Sequence, residues 1–523
     1  MTTDEKLAVP NGSGAVTSTP IALVPDDILH QVFMLVVAEA WEGRGTLSTH
    51  PWNNMTCLAI SHICRYWRRF TLASPQLWSY LSITLYSGID QLETYIKRSQ
   101  GMPLYVKYTG SANVAMPNPS WGQKGVVLVD QSYRFVEFHV SEMRREDISA
   151  LLSFFRKPAP LLRRLYLHAP VQLLGPSIFA RDMPALRHIE LSGVLLAWLP
   201  YRNMDTMILK DQLTPTLGKL LSALKDCPKL TVLKLGLLGA MGNAAIMGGM
   251  TVAGDPQAET VHLPELKELS LSSMAPVDMA NILRHLVFSK TTTLDLKFYG
   301  HNNLPLELAT ECPSLGAIAT VQENIILELI GALEWSTHIV LRSADNKLRI
   351  EWEWYEAGGL PEILDTAGFS AISFPALKHL TIFANSFRLQ EAQWRQILAR
   401  APTATAMELN IRDSMVPELF AALSRAGGAE GGDAPQLVCP KLTHLKISRL
   451  EEHMTILRGM AEAIERRALH DLRLHAIDII SRKARKRFPR EIETRLRRCV
   501  GSVTVKYDGP SMDFGSLSAQ LYE

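Results

Sequence analysis

Apolar positions near the start of the chain recur at intervals of three and four residues, a spacing that predicts an amphipathic helix. Pro25 suits the first position of this helix, where a missing N–H costs nothing. Asp26 and Asp27 follow in the first turn, where carboxylates complement the helix dipole. The apolar members are Ile28, Leu29, Val32, Phe33 and Val36.

Two further helices are predicted before residue 85, after a polar, Gly-containing loop at 42–53. Ser74 and Pro75 supply the N-cap and the first-position proline of the third helix. Three short helices bury little, because a unit of about 60 residues hides only about 60% of its unfolded surface. Some of their apolar surface is therefore expected to need a partner. The apolar residues of these two helices are Leu58, Ile63, Trp67, Phe70, Leu77, Trp78 and Leu81.

From about residue 160 the pattern changes to Pro-x-Leu-x-x-Leu-x-Leu, which recurs along the chain. The Leu-x-Leu alternation predicts a short strand whose leucines point to one face. Stretches between the copies have helical spacing, as at Leu217, Leu220 and Leu224. Stacked copies would bury the leucines in a parallel sheet covered by helices. Copies begin at Pro160, Pro184, Pro228, Pro264, Pro375 and Pro440, and looser ones at Leu294, Pro313, Pro402 and Leu469.

Less regular segments interrupt the pattern. Residues 86–159 bridge the two parts and contain a predicted helix from Ile89 and strands at Leu104 and Phe135. In the irregular repeat at 319–374, residues 348–359 are expected to pair with 338–343 as a hairpin. Predicted loops and tails cover 236–254, 425–434, 1–20 and 511–523.

Length and composition narrow the class of protein. The 523 residues suit three or four compact domains or one elongated repeat array. A charged fraction of 20% argues against overall disorder, and a net charge of +2 gives no electrostatic reason to expect nucleic acid. Six cysteines without paired spacing indicate a reducing compartment. With no secretory signal and no apolar run of membrane-spanning length, we expect a cytoplasmic or nuclear protein without a membrane partner.

Motifs of catalysis are not found in the sequence. There is no phosphate-binding Gly-x-x-x-x-Gly-Lys-Ser/Thr loop and no Gly-x-Ser-x-Gly elbow. Cys57, His62 and Cys64 lie close together, but packing explains them better than zinc binding. The basic run at 482–498 suits a nuclear import signal, a contact with an acidic partner, or a solvated amphipathic helix. We expect no metal and no cofactor.

Residues 21–85 resemble the F-box, the module that binds the Skp adaptor of cullin-based ubiquitin ligases. The resemblance lies in the Pro-Asp-x-Ile-Leu start at Pro25 and in the Cys-x-x-Trp helix at Cys64. Val24 replaces the usual leucine, and the loop after the first helix is longer than in the short form of the family. The alternative is an ordinary helical cap on a repeat domain. The resemblance implies adaptor contacts by Val24, Pro25, Asp26, Ile28, Leu29, Ile63, Cys64, Trp67, Leu77 and Trp78.

Residues 160–510 resemble a degenerate leucine-rich-repeat array, although the asparagine that usually follows the strand is mostly absent. The implied fold is α/β, with a three-helix F-box followed by an irregular solenoid of parallel strands inside and helices outside. Residues between the leucines would then face a target protein, and a cluster near Arg473 would suit an acidic or phosphorylated segment. Expected target contacts are Tyr166, His188, Glu190, Lys297, His379, Phe383, His444, Lys446, Arg473 and His475.

Together the two resemblances imply a non-catalytic substrate-recognition subunit of a Skp–cullin–F-box ubiquitin ligase. A scaffold that uses the same two surfaces without ubiquitin transfer is the alternative. An enzyme is a third reading, which would require a pocket with a perturbed acid–base pair.

Overall fold

A computed structural model gives the fold in two compact units. The first comprises Met1–Pro170 and Pro176–Ala185, and the second Val171–Gly175 and Leu186–Glu523. Both units combine helices with a mostly parallel sheet. The structure describes residues 24–42, 56–110, 120–174, 177–196, 201–212, 216–237, 259–274, 276–299, 312–331, 337–354, 372, 374–384, 389–424, 437–450, 454–481 and 488–507.

The first unit begins with helices α1 (Asp26–Glu42), α2 (Thr56–Ser61) and α3 (Arg65–Leu72), followed by a 3-10 turn at Pro75–Trp78. The single second helix predicted from the sequence is wrong, because the chain breaks between α2 and α3. Cys64 is extended there and its Sγ accepts a hydrogen bond from the Trp67 N–H. Pro25 precedes α1 rather than starting it, and its carbonyl accepts from the Leu29 N–H.

Strands and helices then alternate through the rest of this unit. The elements are β1 (Tyr80–Thr84), α4 (Ile89–Arg98), β2 (Leu104–Thr109), α5 (Ser120–Val129), β3 (Phe135–Ser141), α6 (Arg145–Leu152) and β4 (Arg164–Leu174), whose residues from Val171 on are assigned to the second unit. The strands are parallel and neighbour one another in chain order. The predicted helix from Ile89 and the predicted strands at Leu104 and Phe135 are confirmed.

The first half of the second unit follows the same scheme. Its elements are β5 (His188–Leu195), β6 (Thr206–Gln212), α7 (Leu217–Lys225), β7 (Val232–Leu237), β8 (Val261–Leu263), β9 (Glu268–Met274), α8 (Pro276–Arg284), β10 (Leu286–Phe288) and β11 (Thr293–Tyr299). Strands β5, β6, β7, β9 and β11 pair in parallel in that order, and β8 pairs with β10 in a separate small sheet.

The second half contains the remaining elements. They are α9 (Pro313–Thr320), β12 (Asn324–Gly331), β13 (Thr337–Ser343), β14 (Leu348–Trp354), β15 (His379–Ala384), α10 (Glu391–Ala399), β16 (Ala406–Ile411), α11 (Val416–Ser424), β17 (His444–Leu450), α12 (Met454–Leu469), β18 (Ala476–Ser481), α13 (Arg490–Cys499) and β19 (Ser502–Tyr507). Strands β15 to β19 are again parallel neighbours.

The order of strands departs from the chain order at one place. Strand β11 pairs with β14 in parallel, while β12, β13 and β14 form an antiparallel meander. Strand β12 then pairs with β15 in parallel. The predicted hairpin between 338–343 and 348–359 is confirmed for residues up to Trp354, and residues 355–359 lie outside the described part of the chain.

Core residues alternate along the strands, as the Leu-x-Leu pattern predicts. Leu233 and Leu235 are buried, for example, and Lys234 between them is half-buried. Two of the looser copies are wrong: Pro313 begins helix α9, and Leu469 ends helix α12. The local strand is β18, whose core residues Ile477 and Ile479 were not part of the predicted copy.

Candidate protein-interaction surfaces

Helix α1 carries two apolar stripes, and only one of them is buried. Leu29, Phe33 and Val37 are at most 4% exposed and form the inner stripe. The other stripe faces solvent, since Leu35 is 70% exposed. Three further side chains extend it and are more than two-fifths exposed: Ile28, Val32 and Val36. Contiguous exposed apolar surface is typical of sites that contact another protein or a membrane.

Helix α3 contacts α1 through side chains on the side of Phe33. The Tyr66 hydroxyl donates a hydrogen bond to Asp26, which fixes the start of α3 near the start of α1. Ile63, just before α3, is 62% exposed. Trp67 is half-buried against Phe33, with ring centroids 4.7 Å apart. We call the surface of Ile28, Val32, Leu35, Val36 and Ile63 the head face.

The predicted adaptor contacts divide into surface and core. Pro25, Asp26, Ile28, Ile63 and Cys64 are exposed, and Val24 and Trp67 are half-buried. Leu29, Leu77 and Trp78 are buried in the chain by itself, and their contact with an adaptor stays a prediction. The Trp78 ring packs against Tyr95 and lies under Arg98, while its Nε1–H donates to the Thr71 carbonyl at 2.9 Å.

The outward face of the first unit's sheet carries an aromatic cluster. The rings of Tyr80 and Tyr105 stack with centroids 4.5 Å apart, and those of His139 and Tyr166 stack at 3.9 Å. Trp41, from the last turn of α1, lies edge-on to Tyr80, Tyr105 and His139 at 5.7–6.3 Å. Aromatic pairs in such geometries contribute about 0.5–1.5 kcal/mol each beyond burial.

Glu137 is the charged centre of this cluster. Its carboxylate accepts from Trp41 Nε1 at 3.2 Å, lies 2.5 Å from His139 Nε2, and lies 3.5 Å from Arg164. Burial would raise the pKa of Glu137, but the hydrogen bonds from His139 and Trp41 and the charge of Arg164 hold it below its ordinary value. Residues Trp41, Tyr105 and Glu137 were not predicted as site residues, although the four-residue spacing of Phe33, Val37 and Trp41 could have indicated the last turn of α1.

In the second unit, outward-facing charges pair across neighbouring strands. Lys234 meets Glu268 at 2.7 Å, and Lys446 meets Glu408 at 2.5 Å. Arg342 reaches Glu328 with two nitrogens at 2.8 and 3.1 Å. Cross-strand pairs of opposite charge stabilise a sheet by a few tenths of a kcal/mol to about 1 kcal/mol.

The densest group of charges lies on β11, β13 and β14. Lys297 Nζ sits 3.2 Å from Glu351 and 3.3 Å from Glu353, and the His338 ring nitrogens lie 3.5 and 3.6 Å from the same two carboxylates. Burial would raise the pKa of Glu351, but His338, Lys297 and Arg349 lower it to about 2. Ligand atoms of His338, Glu351 and Glu353 lie within 4.8 Å of one another, which is close enough for all three to ligate one metal ion. The Lys297 ammonium already supplies a cation to both carboxylates.

Most predicted target contacts lie on outward positions of strands. Arg473 and His475 do not, because β18 starts after them at Ala476. Both are exposed, and the His475 ring lies 6.3 Å from that of His444. The outward strand positions are Tyr166, His188, Glu190, Lys297, His379, Phe383, His444 and Lys446.

All six cysteines are free. Burial raises the pKa values of the Cys57, Cys312 and Cys439 thiols to about 12. These three thiols therefore stay protonated near neutral pH and are poor nucleophiles.

Comparison of the sequence with protein-family models and with curated proteins finds no match. Among the described residues, none of the helices combines the length and apolar character needed to cross a membrane.

Proposed function

We propose that this chain is an F-box protein with leucine-rich repeats and acts as a substrate-recognition subunit of a Skp–cullin–F-box ubiquitin ligase. The head face would bind the Skp adaptor and, through it, a cullin. The outward sheet faces would hold a target protein, and ubiquitin transfer would follow from proximity within the assembled ligase.

The observation that carries the proposal is the exposed apolar stripe of α1. A helix of a monomeric protein normally turns one stripe to the core and a polar face to solvent. Here the solvent side carries Ile28, Val32, Leu35 and Val36, and Ile63 before α3 is exposed as well. Ile28 belongs to the Pro-Asp-x-Ile-Leu segment that resembles the F-box, and Ile63 immediately precedes the Cys-x-x-Trp segment. The succession of short parallel strands and helices supports the repeat part of the proposal.

A double substitution tests the adaptor contact directly. Ile28→Ala with Ile63→Ala is expected to weaken co-purification of the Skp adaptor at least tenfold, because both side chains are exposed and available to a partner. The fold should survive, since neither residue is in the core. Pulldown of a Skp adaptor, with a thermal melt of each variant, measures both effects.

The matched control is Leu469→Ala, an apolar residue of the second unit that is 84% exposed. It should leave the pulldown unchanged. If the wild type and the Ile28/Ile63 variant recover the adaptor equally, the proposal is contradicted. Recovery of the adaptor without a cullin would favour the alternative, a scaffold that uses the same two surfaces without ubiquitin transfer.

A further inference from the structure

The outward face of β2, β3 and β4 in the first unit forms a continuous row of side chains. In the strand register Lys107 lies opposite His139, and His139 lies opposite Tyr166. One step along the strands, Tyr105 and Arg164 flank Glu137. We call Tyr105, Lys107, His139, Arg164 and Tyr166 the platform. Arg164 is exposed and the other four are half-buried, so each presents some surface.

The platform is held in place by neighbours beneath and beside it. Glu137 fixes the His139 ring at 2.5 Å, and His139 in turn stacks on Tyr166 at 3.9 Å. Tyr105 is stacked on Tyr80 at 4.5 Å. Side chains that are already ordered lose little conformational entropy when a partner binds, which favours affinity.

On the platform Arg164 is paired with Glu137, whereas Lys107 is a cation that the described residues leave without a carboxylate partner. Lys107 makes no ion pair within the part of the chain that the structure describes. Arg164 reaches only as far as 3.5 Å from Glu137, a carboxylate that it shares with His139 and Trp41. In the second unit, by contrast, Lys234, Lys297 and Lys446 each meet a carboxylate on a neighbouring strand.

We propose that the platform binds an extended, carboxylate-rich segment of a partner protein that also carries a tyrosine or another flat side chain. The carboxylates would meet Lys107 and Arg164 in charge-assisted hydrogen bonds, which are the stronger class. The flat side chain would lie against Tyr105 or Tyr166, since tyrosine and arginine are typical anchors of protein interfaces. The inference rests on the proposed function in one respect: it takes this partner to be the target protein of the ligase.

The test uses polymers as probes, because the partner is unidentified. Fluorescently labelled polyglutamate and a random copolymer of glutamate and tyrosine are titrated with the full chain, and binding is followed by anisotropy. Lys107→Gln with Arg164→Gln is expected to weaken both interactions about tenfold or more, because two charged partners are lost. Tyr166→Leu should weaken binding of the copolymer more than it weakens binding of polyglutamate. Added salt should weaken the glutamate contact.

Lys446→Gln is the matched control, because Lys446 is a sheet-face lysine already paired with Glu408. Unchanged binding by the Lys107/Arg164 variant, or an equal loss in the Lys446 variant, overturns the proposal. Binding of inorganic polyphosphate without binding of either glutamate polymer also overturns it. The Lys107/Arg164 variant should still recover the Skp adaptor, so failure here is distinguishable from failure of the proposed function.

Discussion

At the scale of single residues, buried charges in this protein are held by several partners at once. Glu351 is contacted by Lys297, His338 and Arg349, and Glu137 by groups from a helix and two strands. Sequence periodicity placed Lys297 on the outward face correctly. It could not place Glu351 beside it, because that contact depends on which strands are neighbours.

Glu351 gives a prediction about stability in acid. Its pKa in the folded protein is about 2, below the ordinary value of 4.5, so its stabilising contribution is complete above pH 4.5 and is lost as the pH falls towards 2. Glu351→Gln should lower the free energy of unfolding at pH 7 by on the order of 2 kcal/mol. Urea denaturation at pH 7 and at pH 3 measures this.

The difference between wild type and the Glu351→Gln variant should shrink at pH 3, because Glu351 then binds a proton in the unfolded state while it stays largely ionised in the folded state. Glu323→Gln serves as a comparison, since Glu323 forms an exposed pair with Lys378 that should contribute little. A constant difference at both pH values would contradict the assigned role of Glu351.

At the scale of elements, a buried arginine connects the end of one helix to later segments of the chain. Arg467 of α12 donates to the Leu423 carbonyl at the end of α11 and to the Val438 and Cys439 carbonyls, at 2.6–3.2 Å. Burial lowers the pKa of Arg467 below its ordinary value. These bonds satisfy carbonyls that a helix end and a turn would otherwise leave without partners.

Arg467→Met is therefore expected to destabilise the protein by about 2–4 kcal/mol, because it leaves buried carbonyls unsatisfied. Guanidinium denaturation measures the loss. Arg466→Met, the neighbouring arginine on the same helix, is the matched control and should change stability by less than about 0.5 kcal/mol. Equal losses in the two variants would show that the carbonyl contacts of Arg467 are unimportant.

The sequence predicted most strands and helices because their signals are local. Leu-x-Leu alternation marked β7, β9 and β15, and helical spacing marked α4 and α7. The proline signal misled at Pro313, since a proline can begin a helix as readily as it precedes a strand. The break at Cys64 was missed because apolar spacing continues across it, while the thiol caps a new helix. The aromatic cluster around Trp41 depends on contacts across nearly a hundred residues, which spacing does not encode.

At the scale of the whole molecule, the thiols give a simple test of the fold. Cys64 is exposed and Cys499 half-buried, whereas Cys57, Cys227, Cys312 and Cys439 are buried. Brief treatment of the native protein with iodoacetamide should modify Cys64 first, because access governs thiol reaction together with thiolate content. The four buried cysteines should react only after unfolding in guanidinium. Mass spectrometry of the peptides assigns each modification.

Reaction of Cys227 or Cys439 as fast as that of Cys64 in the native protein would contradict the described core. The same measurement bears on the proposed function. Cys64 adjoins Ile63 of the head face, so bound adaptor should slow its modification while leaving Cys499 unaffected.

The antiparallel meander affects the order in which the second unit can assemble. After β11 the chain places β12 three strand positions away, and the two positions between them are filled by β14 and β13, which come later in the chain. During synthesis, a polypeptide that has emerged up to residue 331 therefore contains β11 and β12 but not the two strands that lie between them. Each of the strands β16 to β19 can pair with the strand before it in the chain. Here β12 cannot be joined to β11 through the sheet until β14, residues 348–354, has left the ribosome.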